Sequence, residues 1–216
     1  MTKTQLRKAG KPLCISFLIV FFVFFITPVP KAQQTSTGLS TQEVVELWEQ
    51  RQFEIEDLYI QGELEEALKL ASEASKLSKK AFGETDPNTF NSSLTEAMLM
   101  GDLDMLEEAN TLYEKLLKKA QDSQQDQSEL VLLVLDAYAG FLSMIDPQMA
   151  QTVFEEAFQI SRSSLGMDDP STILRLQALG LNHQDQGHLD QAEEFLKDSA
   201  TGLEQALGDQ DPEALA

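Results

Sequence analysis

One short pattern occurs four times along this 216-residue chain, each time ending in a small residue. Its copies are GELEEA, DMLEEA, DPQMA and GHLDQA, which end at Ala67, Ala109, Ala150 and Ala192. These alanines are separated by 42, 41 and 42 residues. A near-constant period of this length is typical of repeat architectures, in which one structural unit is copied along the chain. The repeat therefore limits the fold to a linear array of about four similar units.

Each unit has the pattern of two helices joined by a tight turn. Apolar residues recur at helical spacing from residue 41 onwards, and no stretch shows the sustained alternation of a strand. In the fourth unit Asp169 and Pro170 open the first helix, because aspartate caps free backbone N–H groups and proline suits the first helical position. Gly187 permits the reversal into the second helix. The sequence thus predicts an all-α chain of helical hairpins.

The joints between units repeat the same chemistry. A glycine followed by Asp-Pro occurs in FGETDPNT, LGMDDPST and LGDQDPEA, at residues 82–89, 165–172 and 207–214. The second joint has neither glycine nor proline, and Asp104 and Asp146 replace the turn glycine of units two and three. Local geometry is therefore expected to differ there. Ser40 followed by Glu43 predicts a capping box at the start of the first helix.

These features resemble the tetratricopeptide repeat (TPR), in the 42-residue form found in kinesin light chain. The best matches are DQGHLDQAEEFL with LGMDDPST before it, and QGELEEALKLASEASKLSKKAFGETDPNT. The resemblance implies a right-handed α-solenoid of about four helix-turn-helix repeats, in which each hairpin buries its apolar face on its neighbours. It places the repeats at 41–87, 88–127, 128–169 and 170–211, with 212–216 as the start of an incomplete helix.

The N-terminal segment has the pattern of a signal peptide. Four basic residues in the first eleven positions precede the apolar run LCISFLIVFFVFFI at 13–26. This run has the length of a signal-peptide core and is shorter than the ~20 residues of a spanning helix. We predict a signal peptide at 1–32, with an uncleaved membrane anchor as the alternative, and a linker at 33–40. Either arrangement puts the repeats outside the cytoplasm, as a periplasmic, secreted or membrane-anchored protein.

The charge is strongly acidic and unevenly distributed. Acidic residues number 36 against 16 lysines and arginines, and five of those basic residues lie in the first 32 positions, which hold no acid. Residues 33–216 therefore carry 11 basic and 36 acidic groups, a formal charge of −25. Such a surface repels phosphate backbones, which argues against nucleic-acid binding. It favours solubility, and it is also compatible with a basic partner.

No arrangement of residues indicates catalysis, and we predict a non-enzymatic protein without a metal or cofactor. Cys14, the only cysteine, lies in the N-terminal apolar run, so the repeats contain no thiol ligand or nucleophile. His183 and His188 are five positions apart and do not share one face of a helix. Adjacent glutamates recur once per repeat, at 65–66, 107–108, 155–156 and 193–194. A catalytic carboxylate pair needs one distinct environment, so these pairs are interpreted as solvated helix surface.

The resemblance places the binding surface on the first helix of each hairpin. Proteins with this repeat bind extended or helical peptides along the concave face that these helices line. Counted from the alanine of each repeat, the face comprises Gln52, Glu56, Tyr59, Asn91, Leu94, Met98, Leu132, Leu135, Leu142, Leu174, Gln177, Leu181 and Gln184. The stretch LVLLVLDAYAGFLSM is apolar nearly all round, so it is either enclosed by its neighbours or offers an apolar face to a partner.

Two hypotheses follow for the function. The first is an exported scaffold that binds a protein or peptide partner, which the sequence does not identify. The alternative is a self-associating structural element, tethered to the membrane through residues 13–26. If the central stretch binds a partner, Leu135→Asp should abolish partner binding or self-association and leave helicity intact. Loss of the circular-dichroism signal would instead show that Leu135 belongs to the core.

Overall fold

The computed structural model describes residues 39–123 and 127–207, which form eight helices and no strands. In chain order the helices are α1 (Thr41–Gln61), α2 (Leu64–Phe82), α3 (Pro87–Asp102), α4 (Leu106–Gln121), α5 (Gln127–Ile145), α6 (Pro147–Ser164), α7 (Pro170–Asp185) and α8 (Leu189–Leu207). They pair as four hairpins, α1–α2, α3–α4, α5–α6 and α7–α8, and each hairpin packs on the next. The predicted all-α solenoid of helix-turn-helix units is thereby confirmed.

Several predicted segments lie outside the described residues. They are the signal peptide or anchor at 1–32, most of the linker at 33–40, and the start of an incomplete helix at 212–216. Among the helices that are described, none is long and apolar enough to cross a membrane. The boundaries assigned to the four repeats stay predictions.

The helices begin at the capping residues that the sequence indicates. The capping box is confirmed at α1, where the backbone N–H of Ser40 donates to the Glu43 carboxylate (2.7 Å) and the Ser40 hydroxyl accepts from the Glu43 backbone N–H. The Ser40 hydroxyl also donates to the Glu43 carboxylate at 2.8 Å. The bonds that the carboxylate accepts, first from the Ser40 backbone and then from its hydroxyl, lower the pKa of Glu43. At α3 and α7 the side chains of Asp86 and Asp169 accept a backbone N–H at 2.8 Å, each just before a proline.

The turns within the hairpins explain the irregular units. Gly62 and Gly187 adopt left-handed backbone conformations, with φ of 79° and 78°. Asp104 takes the same role in the second hairpin with φ 61°, which aspartate tolerates better than most residues. In the third hairpin only Asp146 separates α5 from α6, and its side chain caps α6. This shorter turn accounts for the separation of 41 rather than 42 residues between the second and third alanines.

An aromatic stack joins the second and third hairpins in the largest part of the core. The ring of Tyr113 on α4 lies 5.4 Å from that of Tyr138 and 5.1 Å from that of Phe141, both on α5. The hydroxyl of Tyr138 donates to the side-chain oxygen of Asn110 at 2.8 Å, which satisfies its polar end. Helix α3 approaches closely as well, because a side-chain carbon added at Gly101 would lie 3.1 Å from the Phe141 ring.

Buried polar contacts join the other neighbouring hairpins. Between the first and second, the indole N–H of Trp48 donates to the Ser92 hydroxyl at 2.9 Å. Between the third and fourth, the hydroxyls of Ser161 and Thr172 are 2.7 Å apart, and both residues are fully buried. Because an unpaired polar group is costly in the interior, these contacts favour one way of stacking each hairpin on the next.

A bidentate ion pair joins α5 to α7. The guanidinium of Arg175 donates to both carboxylate oxygens of Asp136, at 3.0 and 2.6 Å, and also to the Ser161 hydroxyl at 3.2 Å. Only 15% of the Arg175 side chain and 24% of the Asp136 side chain are exposed. Burial raises the pKa of Asp136, and the Arg175 guanidinium opposes that rise. The pair is bidentate, which is the geometry in which arginine binds carboxylates most specifically.

Removing one member of this pair should destabilise the array, because the other charge is left largely buried. We expect Asp136→Ala to lower the free energy of unfolding by about 2–3 kcal/mol, somewhat less than for a fully enclosed pair. Urea denaturation followed by circular dichroism measures this. The control is Glu66→Ala, which breaks the exposed pair between Glu66 and Lys69 and should change stability little. Equal losses in both variants would contradict a structural role for the buried pair.

Candidate binding surface

The first helices of the four hairpins form a continuous row. Side chains link α1 to α3 through Trp48 and Ser92, and α5 to α7 through Asp136 and Arg175. Between them, α3 and α5 meet where Gly101 contacts Phe141. We call the side of α1, α3, α5 and α7 that turns away from the second helices the first-helix face. It is the surface on which the sequence places partner binding.

Nine of the thirteen predicted residues lie at the surface of this row. Five are half-buried: Gln52, Tyr59, Asn91, Met98 and Gln177. Four are exposed: Glu56, Leu174, Leu181 and Gln184. These nine side chains are therefore available, in whole or in part, for contact with another molecule.

The other four predicted residues, Leu94, Leu132, Leu135 and Leu142, are core residues and not surface residues. Three of them lie on α5, and the cause is the shortened third turn. The positions on α5 are predicted by counting back from Ala150, across a turn that is one residue shorter than the repeat period requires. Every predicted position on α5 is therefore one residue too early in the chain. The side chains one position further along include Leu133 and Asp136, which are only half-buried. A shift of one residue turns a helix by about 100°, enough to exchange core for surface.

Leu94 is buried for a different reason. It occupies the same place on α3 as Gln52 on α1, fifteen residues before the alanine of its repeat. That position faces the next first helix along the row, as the contact of Gln52 with Ser92 (3.4 Å) shows for α1. Leu94 packs in the same core cluster as residues of α5. The position fifteen residues before the repeat alanine thus lies at the surface on α1 and in the core on α3, and the difference is made by the hairpin that packs next to it.

Two predicted residues already take part in contacts between the first two hairpins. The hydroxyl of Tyr59 on α1 hydrogen-bonds the carboxylate of Asp102 on α3. Burial, together with the negative charge of Asp102, raises the pKa of Tyr59, so the hydroxyl stays protonated and can donate. Gln52 donates to Ser92 as described above. At this end of the first-helix face, Gln52 and Tyr59 are therefore engaged in contacts within the protein.

The opposite end, on α7, is apolar and open. Leu174 is 51% exposed and Leu181 is 42% exposed. They are seven residues apart with half-buried Ala178 between them, so all three lie along one side of the helix. Ile173 and Leu176, on the other side, are buried. No core cluster of the described chain includes Leu174 or Leu181.

The row of first helices is more acidic than the row of second helices. The first helices contain 11 aspartates and glutamates against two arginines, whereas the second helices contain 13 against nine lysines and arginines. Both arginines are engaged, since Arg51 pairs with Glu54 and Glu73, and Arg175 pairs with Asp136. The first-helix face therefore offers acidic and apolar groups and no unpaired arginine or lysine.

His183 packs beside two other rings, and the repeated glutamate pairs lie at the surface. His183 is buried, and its ring lies 5.3 Å from that of Phe195 and 5.7 Å from that of His188. Its Nδ1 atom has no hydrogen-bond partner, nor has the side-chain nitrogen of Asn182. Within residues 39–123 and 127–207, no group of three histidine, cysteine or acidic side chains has metal-binding geometry. All eight residues of the repeated glutamate pairs are exposed.

Comparison with known proteins agrees with this architecture. Residues 141–205 match the sequence model of the tetratricopeptide repeat family. The structure is similar to that of BtubC (BKLC) from P. vanneervenii, with a TM-score of 0.57 and 22% identity, over 69% of this chain and 60% of that one. A putative kinesin light chain from Podosopora anserina with nearly identical TPR-like repeats gives a TM-score of 0.34 and 14% identity, over 77% of this chain and 97% of that one. None of the curated proteins matches the sequence.

The family match and the similarity to BtubC confirm the resemblance seen in the sequence: residues 141–205 match the tetratricopeptide repeat, and the described chain has the fold of an array of such repeats. It spans 60% of the length of BtubC. Arrays of this kind present an extended surface on stacked helices, and they serve as scaffolds for protein–protein interaction.

The burial of Leu135 reverses the expected result of its substitution. Its side chain has 0% exposure, so Leu135→Asp would place a carboxylate among apolar neighbours. We now expect loss of the helical circular-dichroism signal, with destabilisation of roughly 4 kcal/mol or more. Leu174→Asp, at a first-helix leucine that is 51% exposed and belongs to no core cluster, is the matched control and should stay folded. A folded Leu135→Asp protein would contradict the packing of α5.

Proposed function

We propose that this protein is a non-enzymatic scaffold that binds a protein or peptide partner along the first-helix face. The observation that carries the proposal is the pair Leu174 and Leu181, two large apolar side chains exposed on one side of α7. Scattered single apolar residues are normal on a protein surface, but an aligned pair beside half-buried Ala178 is typical of a contact site. The half-buried polar side chains of Asn91 and Gln177 add hydrogen-bonding groups to the same face.

The energy available on this face is that of a modest interaction. Fully burying one leucine side chain contributes about 1.5–3 kcal/mol, and Leu174 and Leu181 are already about half buried. Together they would supply roughly 2–3 kcal/mol, so further contacts along α3 and α5 are required for stable binding. Met98 and Leu133, both half-buried, are placed to provide them. A partner that lies along several first helices therefore fits better than one that touches α7 alone.

Self-association is the alternative function. The same apolar pair on α7 would serve equally to bind a second copy of the chain. In that case residues 13–26 would tether the assembly to the membrane as an uncleaved anchor. The two functions differ in what occupies the first-helix face, so one experiment separates them.

The test is a crosslinking pull-down from native cells, using the full-length chain with a C-terminal tag. The variant is Leu174→Gln with Leu181→Gln, and the control is Leu165→Gln with Met167→Gln, whose side chains are equally exposed on the α6–α7 joint. We expect a discrete partner in stoichiometric yield with the wild type and the control, and at least about a tenfold loss with the variant. Equal recovery with all three proteins would contradict binding on this face. Recovery of the chain alone would favour self-association.

Export is also a proposal, supported by the basic and apolar pattern of residues 3–26. Mass spectrometry of the protein recovered from cells should show a mature N-terminus near residue 33, and protease added outside the cytoplasmic membrane should digest the repeats. Protein that retains residues 13–26 and is digested in the same way would favour the membrane anchor. Protection of the repeats from external protease would contradict both forms of export.

A further inference from the structure

A second set of exposed apolar side chains lies apart from the first-helix face. It is found at the turns inside the four hairpins, where the first helix ends and the second begins. Its members are Ile60, Leu106, Met144, Ile145, Met149 and Leu189, with exposed fractions from 37% to 75%. Every hairpin contributes at least one. The most exposed, Ile60 and Leu189, lie in the first and fourth hairpins.

The four turns form one continuous edge of the solenoid. The first and second turns are linked where the Tyr59 hydroxyl hydrogen-bonds Asp102. The second and third meet where Gly101 contacts Phe141, near the ends of α3 and α5. The third and fourth are linked by the Gln186 side chain, which donates to the Pro147 carbonyl at 3.1 Å. We call this surface, comprising residues 60–66, 101–108, 143–149 and 185–191, the turn edge.

The charge of the turn edge has a single sign. Its four segments contain ten aspartates and glutamates and no lysine or arginine. Part of this pattern has a local cause, since Glu65, Glu66, Glu107 and Glu108 lie in the first turns of α2 and α4, where the helix dipole favours negative charge. The dipole does not account for the six apolar side chains, which are exposed to water at an energetic cost. The combination of both features points to a ligand.

We propose that the turn edge is a second docking surface, which binds a basic amphipathic helix of a partner protein. Apolar side chains of that helix would cover the exposed row, and flanking lysines or arginines would face the ten carboxylates. Anionic lipids and nucleic acids are disfavoured because the edge is acidic throughout.

The dimensions of the edge agree with a helical ligand. Packed helices lie about 8–10 Å apart, so a row of four turns spans roughly 30 Å or more. A helix of about 20 residues has that length. Met144 and Met149 lie in the middle of the row, and the flexible thioether side chain adapts readily to different apolar surfaces. The proposal is independent of the first-helix face, because none of the thirteen residues predicted for that face lies in the turn edge.

The test uses the purified full-length chain in nonionic detergent and a fluorescent 20-residue peptide of lysine and leucine with helical amphipathic spacing. Fluorescence anisotropy measures the Kd. We expect binding that weakens at least about tenfold when the lysines are replaced by glutamates, and that weakens as salt screens the charges. The variant Ile60→Gln with Leu189→Gln should weaken binding about tenfold, whereas the control Leu165→Gln with Met167→Gln should not.

Other outcomes would overturn the inference. Equal binding of the lysine and glutamate peptides would show that charge does not select the ligand, and absence of binding would remove the basis for a basic helix. Loss of binding in Leu174→Gln with Leu181→Gln, but not in the turn-edge variant, would assign the peptide to the first-helix face and leave the proposed function intact. After removal of the detergent, binding of phosphatidylcholine vesicles that is lost in the turn-edge variant would identify a membrane surface instead.

Discussion

A helical hairpin of this size cannot enclose its own apolar side chains, and the whole structure depends on that constraint. Tyr113 on the second hairpin is only 1% exposed because Tyr138 and Phe141 of the third hairpin cover it. Trp48 on the first is in turn covered with the help of the second, where Ser92 accepts its indole N–H. Stability in such an array is the sum of the hairpins and of the interfaces between neighbours.

The polar groups in these interfaces restrict how the hairpins stack. Apolar contacts alone are not directional, so they tolerate small rotations of one hairpin on the next. Polar contacts do not tolerate such rotations, because misalignment would leave buried polar groups unpaired. The contacts concerned are the hydrogen bond between Ser161 and Thr172 and the bidentate pair of Asp136 and Arg175. The contacts that join the third and fourth hairpins therefore also fix how α5 and α7 lie side by side in the first-helix face.

Among the apolar side chains that the stacking leaves exposed, two groups carry the proposals, one on α7 and one along the turn edge. The turn edge is rich in carboxylates and has no lysine or arginine, whereas lysines are common in the last turns of α2 and α4. Helix α7 has one carboxylate, Asp185, and its only lysine or arginine, Arg175, is paired with Asp136. The two proposed partners therefore share apolar groups, and the partner of the turn edge needs basic groups as well. They differ in where they would bind, and hence in which apolar side chains they would cover.

The sequence by itself determined the features that act over a few residues: the capping box at Ser40, the Asp-Pro helix starts, the turn glycines and the repeat period. It also indicated which helices should line the binding face. Only the tertiary structure decided which side chains on those helices stay exposed. The repeat register predicts Leu132 at the surface, but Leu132 is buried and the next residue, Leu133, is only half-buried, because the turn at Asp146 is one residue shorter. Leu94 is buried by the next hairpin, and Asp136 meets Arg175 across 39 residues of chain. Such contacts depend on packing between hairpins, which no local pattern specifies.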